Sequence, residues 1–490
     1  MHKEFINNDL FNTYLVGGYV RDELLGKPAK DMDYVVEPKD GISIEVVNTY
    51  LLSIGFVGVG NDFPVYKKGE IDIALPRTER KVGIGYTGFE TIVEGVTLID
   101  DLLRRDLTIN SIAYDVVNDK YIEPDGVSAL QDLKDKKLRP TSKAFLEDPL
   151  RFIRLARMSA KMPDFEVVYD EFDHWLTDDI KNEIKSISQE RIVMEIIKVL
   201  ETDNPSNFFK VLKRLDILDI VLDDIDKMIG KEQSLIHHSE GDIFNHTMFV
   251  LDEISKITKD PMIKFGALLH DVGKAYTYEQ TIKDGRDIKE AFYGHEDKDL
   301  VDSILKKYKE DLKFPIKYVD FASRASKMHH YIHNAESLNP KKLTKIMLDK
   351  TLIRNREELE NLIMVAKADS YGRLSQQTKT KPETLSQEEI LEAFEKGKIR
   401  KGYSLVLNGK TASTTNYDFF LDLYDFMEKH KEKFTITKEL IMSGTLNDSN
   451  GNLDIPMKER YIYENALNVA KRFKETIQNK NIKSKKSFQP

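Results

Sequence analysis

Short apolar runs of strand type recur over the first 140 residues, at 13–16, 31–36, 63–67, 71–75 and 112–117. Their period and length predict a small mixed sheet with helices on one side. Residues 19–25 read as a short helix that Gly26 and Pro28 stop. Residues 107–111 fit a helix or a strand equally. Beyond residue 140 the predicted elements are helices. One opens at Asp148 and Pro149 and runs through Met158. Another opens around His246, a third spans 265–269, and two more cover 417–433 and 461–477, with a turn cluster at 447–452 between them. The fold class this predicts is α+β, a sheet-containing head followed by helical regions.

Composition narrows the field. At 490 residues the chain is too long for one ordinary domain. A hydrophobic fraction of 40% and a charged fraction of 32% describe a globular protein. No run of about 18 apolar residues is present, so no membrane span is expected. The first residues lack the apolar core of a signal peptide, and cysteine is absent. Both predict a cytoplasmic location, and the second removes disulfides, thiol catalysis and cysteine-held zinc. A net charge of −9 weighs against nucleic-acid binding without excluding it, because RNA contacts depend on local patches.

The most informative stretch is Gly17-Gly18-Tyr19-Val20-Arg21-Asp22, followed by Asp31-Met32-Asp33. The glycines break a strand where backbone must come close to a ligand. The next helix presents free N–H groups to that turn, a seat for phosphate oxygens. Residues two apart on a strand share a face, so Asp31 and Asp33 project together. Paired carboxylates beside a phosphate seat suit Mg²⁺ and metal-dependent nucleotidyl transfer. Singly, a glycine pair is a turn and Asp-x-Asp a solvated strand end; their order and spacing favour chemistry. The stretch resembles the nucleotidyltransferase superfamily, specifically class II tRNA CCA-adding enzymes and bacterial poly(A) polymerases. Asp72, alternating with Ile71 and Ile73, fits a third carboxylate or a solvated strand position.

Further motifs follow in order. Arg104, Arg105 and Asp106 read either as one exposed ion-pair cluster or as a fork for nucleotide phosphate or ribose. The tract resembles the family's Arg-Arg-Asp motif, which gives Arg105 a nucleotide contact. The glycine-rich basic run 77–89 reads as a mobile loop and is similar to the flexible loop of CCA-adding enzymes. Asp148 before Pro149 is a good helix start. Asp148 and Arg151, one turn apart, also present an acceptor and donors that match the amino-bearing edges of C and A. The tract resembles the family's Glu-Asp-x-x-Arg motif, which assigns base reading to Asp148 and Arg151 with Arg154 in support. Glu190, Arg191 and Glu195 resemble the neck motif Glu-Arg-Ile-x-x-Glu and are expected to hold helices together.

A second constellation lies at His246, His270-Asp271, Lys274, His295, His329-His330, His333 and Asp369. Imidazoles with carboxylates suit Ni, Mn, Fe or Zn rather than Mg²⁺. The pattern resembles an HD phosphohydrolase domain. The resemblance gives His246, His270, Asp271 and Asp369 one metal, and His295 and His329 a second metal or the phosphate. Lys274 would neutralise phosphate; His330 and His333 stay unassigned.

These readings divide the chain into a nucleotidyltransferase head (1–140), a base-recognising helical neck (141–230), an HD body (231–400) and a helical C-terminal region (401–490). Between 471 and 486, seven basic residues face one acid, a solvated tail or a hold on tRNA phosphates. The resemblance implies template-independent building of the tRNA 3′-CCA end from CTP and ATP. Asp31 and Asp33 would hold Mg²⁺, and Gly18 and Arg21 would grip the triphosphate. The HD body adds hydrolysis of 2′,3′-cyclic or RNA-end phosphates. The rivals are a poly(A) polymerase, an enzyme adding only A or only CC, and a catalytically silent RNA-binding relative.

Overall fold

The structure is a computed structural model that describes residues 4–28, 32–59, 65–81, 89–233, 240–283, 292–375, 400–401, 406–407, 410–443, 445–448, 452–453 and 455–486. Asp31 lies outside the described residues, as do 82–88 of the glycine-rich run and 449–451 of the turn cluster. The chain forms two compact units, Met1–Asp223 and Asp224–Pro490. Among the described residues no helix is long and apolar enough to cross a membrane.

The first unit opens with β1 (Phe11–Val16), α1 (Gly18–Leu24), β2 (Met32–Pro38), α2 (Ile44–Ser53), β3 (Val57–Val59), β4 (Val65–Lys68) and β5 (Ile71–Ala74). A hairpin of β6 (Thr78–Lys81) and β7 (Phe89–Ile92), α3 (Leu98–Leu103), β8 (Ala113–Asp115) and β9 (Lys120–Ile122) complete the head. Seven strands make one mixed sheet in the order β3-β4-β5-β2-β1-β8-β9. Only β2 and β5 run parallel, and their register sets Asp33 opposite Asp72. Tyr14, Val16, Val35 and Ala113 pack with Leu98 and Leu102 of α3, which fixes α3 against the sheet. The hairpin corrects one expectation: within the run 77–89, read as a loop, residues 78–81 form a strand that pairs with 89–92. Residues 107–111 hold a short 3-10 turn, Thr108–Asn110.

Helices follow: α4 (Ala129–Lys134), α5 (Leu150–Lys161), α6 (Tyr169–Trp175), α7 (Asp178–Lys185), α8 (Gln189–Leu200) and α9 (Ser206–Arg214). α5 buries Phe152, Ile153, Leu155 and Ala156 and packs on α8 and α9. Its arginines at 151, 154 and 157 recur every three residues, so they form a ridge beside that apolar face. Trp175 packs with Phe145 and Phe172.

α10 (Leu218–Asp226) leads into the second unit. There α11 (Ile243–Ile257), α12 (Pro261–Leu269), α13 (Val272–Lys283), α14 (Lys298–Glu310), α15 (Ile316–His333), α16 (Pro340–Leu348) and α17 (Arg356–Gly372) form a helical body. α11 and α12 pack on α17, and α12 packs on α15. α18 (Ala412–Lys429), α19 (Lys438–Met442) and α20 (Ile455–Lys486) finish the chain, so both helices expected near the C terminus are present.

Candidate functional sites

A cavity of about 780 Å³ opens in the first unit, lined by Gly17, Gly18, Arg21, Asp33, Arg77, Arg104, Arg105, Asp106, Asn110, Asp148, Arg151, Arg154, Arg157, Met158, Lys161 and Lys198. Seven arginines and two lysines meet three aspartates there. Such an excess of fixed positive charge in a cleft attracts polyanions.

Gly17 precedes α1 with φ 69°, and a Cβ on it would fall 2.8 Å from Arg105 Nη1. Backbone conformation and space both require glycine where the arginine crosses the turn. Arg21 is buried; it donates to Asp22 at 2.8 Å and to Asn110 Oδ1 at 2.5 Å.

The two arginines after α3 share one anchor. Asp101 Oδ1 accepts Arg104 Nη2 at 2.6 Å, and Oδ2 accepts Arg105 Nη2 at 3.0 Å. Burial alone raises the Asp101 carboxyl, but the charges of Arg105 and Arg104 outweigh it and hold the group below its ordinary value. Asp106 is also buried and pairs elsewhere, with Arg154 Nη2 at 2.8 Å. The tract is therefore no exposed ion-pair cluster. Arg104 and Arg105 are anchored on Asp101, and Asp106 is anchored on Arg154, with all three lining the cavity.

Burial works against the Asp106 carboxylate, yet Arg154, Asn110 and the Leu107 N–H lower its pKa to about 2 from 3.8. A depressed carboxyl stabilises the fold above the unfolded value. Asp106 thus contributes about 2 kcal/mol, full above pH about 4 and lost as pH falls through 2. Asp106→Asn should flatten this part of the acid-unfolding limb. The chain's one tryptophan, Trp175, reports it by fluorescence because it lies in the same unit. An unchanged acid limb would refute the contribution.

Asp148 has two fixed partners. Oδ1 accepts the Leu150 N–H at 3.1 Å, and Oδ2 accepts Arg191 Nη2 at 3.0 Å. The helix-start reading is thus present in the structure, and a partner from the neck motif is added to it. Glu195, buried on α8, pairs with Arg157. Arg151 is buried and donates to the Ala144 carbonyl. Asp33 is exposed on β2 at the cavity, and Asp72 is its register neighbour, bonded by Lys67 at 2.5 Å. An exposed carboxylate with a second one beside it fits a hard, oxygen-liking cation.

The second unit brings His246 (α11), His270 and Asp271 (between α12 and α13), Lys274 (α13), His295, His329 and His333 (α15) and Asp369 (α17) into one buried cluster. The Nε2 atoms of His270, His295, His329 and His246 lie 3.1, 3.4, 3.4 and 3.6 Å from the Asp271 oxygens. Each Nδ1 faces outward. The acceptors are Ala267 O, Phe292 O and Ser326 O at 2.7–2.8 Å, and Glu240 Oε1 at 2.8 Å for His246. Outward N–H groups leave the inward Nε2 lone pairs for a ligand, the usual support of metal-binding imidazoles. Two trios with metal-ligand spacing share Asp271: His246, His270, Asp271, and Asp271, His295, His329. Gly273 allows this crowding, since a Cβ there would lie 2.0 Å from the His295 carbonyl oxygen.

Asp369 adds its Oδ1 at 3.2 Å from His246 Nε2. Its orientation is set by His333 Nε2 at 2.6 Å and Arg373 Nη2 at 2.9 Å. His333, unassigned from sequence, thus touches the ligand set, whereas His330 is exposed. Burial raises both aspartates' carboxyls. For Asp271 the charges of His270 and Lys274 reverse this, for Asp369 those of Arg373 and His333, and both sit well below the ordinary range. Burial lowers His246, but Asp369 and Glu240 bring it up to about 8. Burial holds His295 neutral, well below its ordinary value.

Asp101, Glu240 and Arg373 escaped the sequence reading. Asp101 carried a usable signal, a carboxylate three and four residues before two arginines. Glu240 carried none.

Residues 13–139 match the Poly A polymerase head domain family, 178–229 the family described as the probable RNA and SrmB-binding site of polymerase A, and 243–374 the HD domain. A multifunctional CCA protein from Mannheimia succiniciproducens is 37% identical over 372 residues, 74% of this chain and 84% of its own length. One from Shewanella frigidimarina is 34% identical over 432 residues, 87% of this chain and 99% of its own. A solved CCA-adding enzyme in complex with CTP shares the fold with a TM-score of 0.50 at 16% identity, over 98% of this chain and 91% of that one.

Proposed function

Because the chain belongs to the multifunctional CCA protein family, we propose that its first unit builds and repairs the 3′-CCA end of tRNA from CTP and ATP. The observation that carries this reading is the arginine-rich cavity with Asp33 at its rim and Asp148 in its wall. The RNA 3′-hydroxyl attacks the nucleotide α-phosphate in line, and pyrophosphate leaves. Arg21 and the Gly17-Gly18 turn hold the triphosphate, with Arg105 held in place by Asp101. Asp31 and Asp33 would hold Mg²⁺, which would supply charge stabilisation for the transfer. Arg151 donates to the base and Asp148 accepts from its exocyclic amine, which C and A carry.

The division of labour follows four regions: head 1–140, neck 141–230, body 231–400 and C-terminal region 401–490. The experiment is extension of tRNA lacking CCA. Three added residues with CTP and ATP support the reading. A long A tail, A alone or CC alone would replace it with the corresponding rival.

Asp148→Ala tests base reading. The lost helix-start bond costs about 0.5–2 kcal/mol of stability. Incorporation of UMP or GMP should rise relative to CMP and AMP beyond what this loss explains. A variant that melts earlier yet still discriminates would reduce Asp148 to a structural residue.

The body's cluster fits a metal-dependent phosphohydrolase acting on 2′,3′-cyclic or RNA-end phosphates. His246, His270, Asp271 and Asp369 would hold a transition metal, with His295 and His329 at a second position. Such an ion would supply an activated water. Asp271 orients the surrounding imidazoles, and Lys274, 2.7 Å from it, places positive charge where phosphate arrives.

A further inference from the structure

The wall of the histidine cluster continues outward along one face of α13. Lys274 and Tyr278 are four residues apart on that helix and share a face. Lys274 Nζ lies 5.6 Å from the centre of the Phe292 ring. Phe292 and Tyr278 stack with centroids 6.1 Å apart and planes inclined by 27°. Phe292 also accepts the His295 Nδ1–H through its carbonyl, so this aromatic pair borders the cluster directly. Both rings are only half-buried. Lys231 Nζ approaches Tyr278 at 5.5 Å and adds positive charge.

An independent observation comes from Gln233, only 5% exposed. Its Oε1 accepts Lys274 Nζ at 2.9 Å, which fixes the oxygen end of the amide. Its Nε2 is then a buried donor without a hydrogen-bond partner among the described residues. A buried donor in that condition is destabilising, and a ligand oxygen would satisfy it.

We propose that Gln233, Tyr278 and Phe292 form a nucleoside subsite beside Asp271, so that this centre takes phosphate esters carrying a base over simple phosphate esters. The proposal rests on the phosphohydrolase reading of the cluster. Phosphate lies against Lys274, the Gln233 amide donates to a sugar or base oxygen, and the base stacks on the rings. Stacking on aromatic side chains contributes about 1–3 kcal/mol per base and tolerates any base, which suits the varied ends of RNA.

The test compares the full chain, loaded with Ni²⁺ or Mn²⁺, on 2′,3′-cyclic AMP and on propane-1,2-diol cyclic phosphate, a five-membered cyclic ester without a base. Tyr278→Ala should lose about tenfold or more in kcat/KM on the nucleotide, and stay within about twofold of wild type on the base-free ester. Phe292→Leu, which keeps the carbonyl that holds His295, should do the same. Equal losses on both esters, or none, would overturn the subsite. If the wild type hydrolyses neither ester, the hydrolase reading fails and binding decides the subsite. The metal-free chain's Kd for 2′-UMP, whose uracil does not suit the first unit's cavity, should rise about tenfold in Tyr278→Ala. An unchanged Kd would overturn the proposal.

Discussion

Asp33→Ala is expected to abolish CMP and AMP addition, by about 10²–10³-fold or more, while the affinity for tRNA persists. Asp33 is an exposed carboxylate at the rim of a cavity that is otherwise strongly cationic. The basic groups of that cavity remain in the variant, so phosphate binding survives. What is lost is the exposed carboxylate at that cavity, the group proposed to hold the cation. Single-turnover incorporation measured beside a tRNA binding curve separates the two effects. Transfer near the wild-type rate would move the chemical centre elsewhere. Hydrolysis by the second unit should be unaffected, because its ligands belong to a separately packed unit.

Asp271→Ala should remove hydrolysis of cyclic phosphates by at least about 10²-fold and lower the bound transition metal, leaving CCA addition within about twofold. Its two oxygens face four imidazole Nε2 atoms and Lys274. Removing it sets several like-charged or polar groups against one another in a buried space. Loss of one partner of a buried charged pair costs about 3–5 kcal/mol. Asp271→Asn, which keeps the shape, therefore runs alongside. Metal content by mass spectrometry and both activities are measured on each variant. Undiminished hydrolysis with undiminished metal would mean that Asp271 is not a ligand.

The sequence made the ligand types legible, and the fold class with them. Gly17-Gly18, His270-Asp271 and the strand runs carry their meaning in local spacing. The supporting groups were hidden for a physical reason: their partners come from distant segments. Asp106 meets Arg154 across 48 residues, and His333 meets Asp369 across 36. No periodicity connects such pairs. The pairing of 78–81 with 89–92 is hidden differently, because glycine content in the run 77–89 reads as loop. Arg191, expected to hold neck helices together, pairs with Asp148. That partner could only be found in three dimensions.

Asp148 binds the Leu150 N–H with one oxygen and Arg191 with the other. A side chain so committed cannot be exchanged without breaking both bonds. Any descendant that exchanges it to accept another base must at once re-found the start of α5 and find a new counter-ion for Arg191. On the proposed base-reading role of Asp148, a change of nucleotide choice at this position would therefore also cost the neck stability.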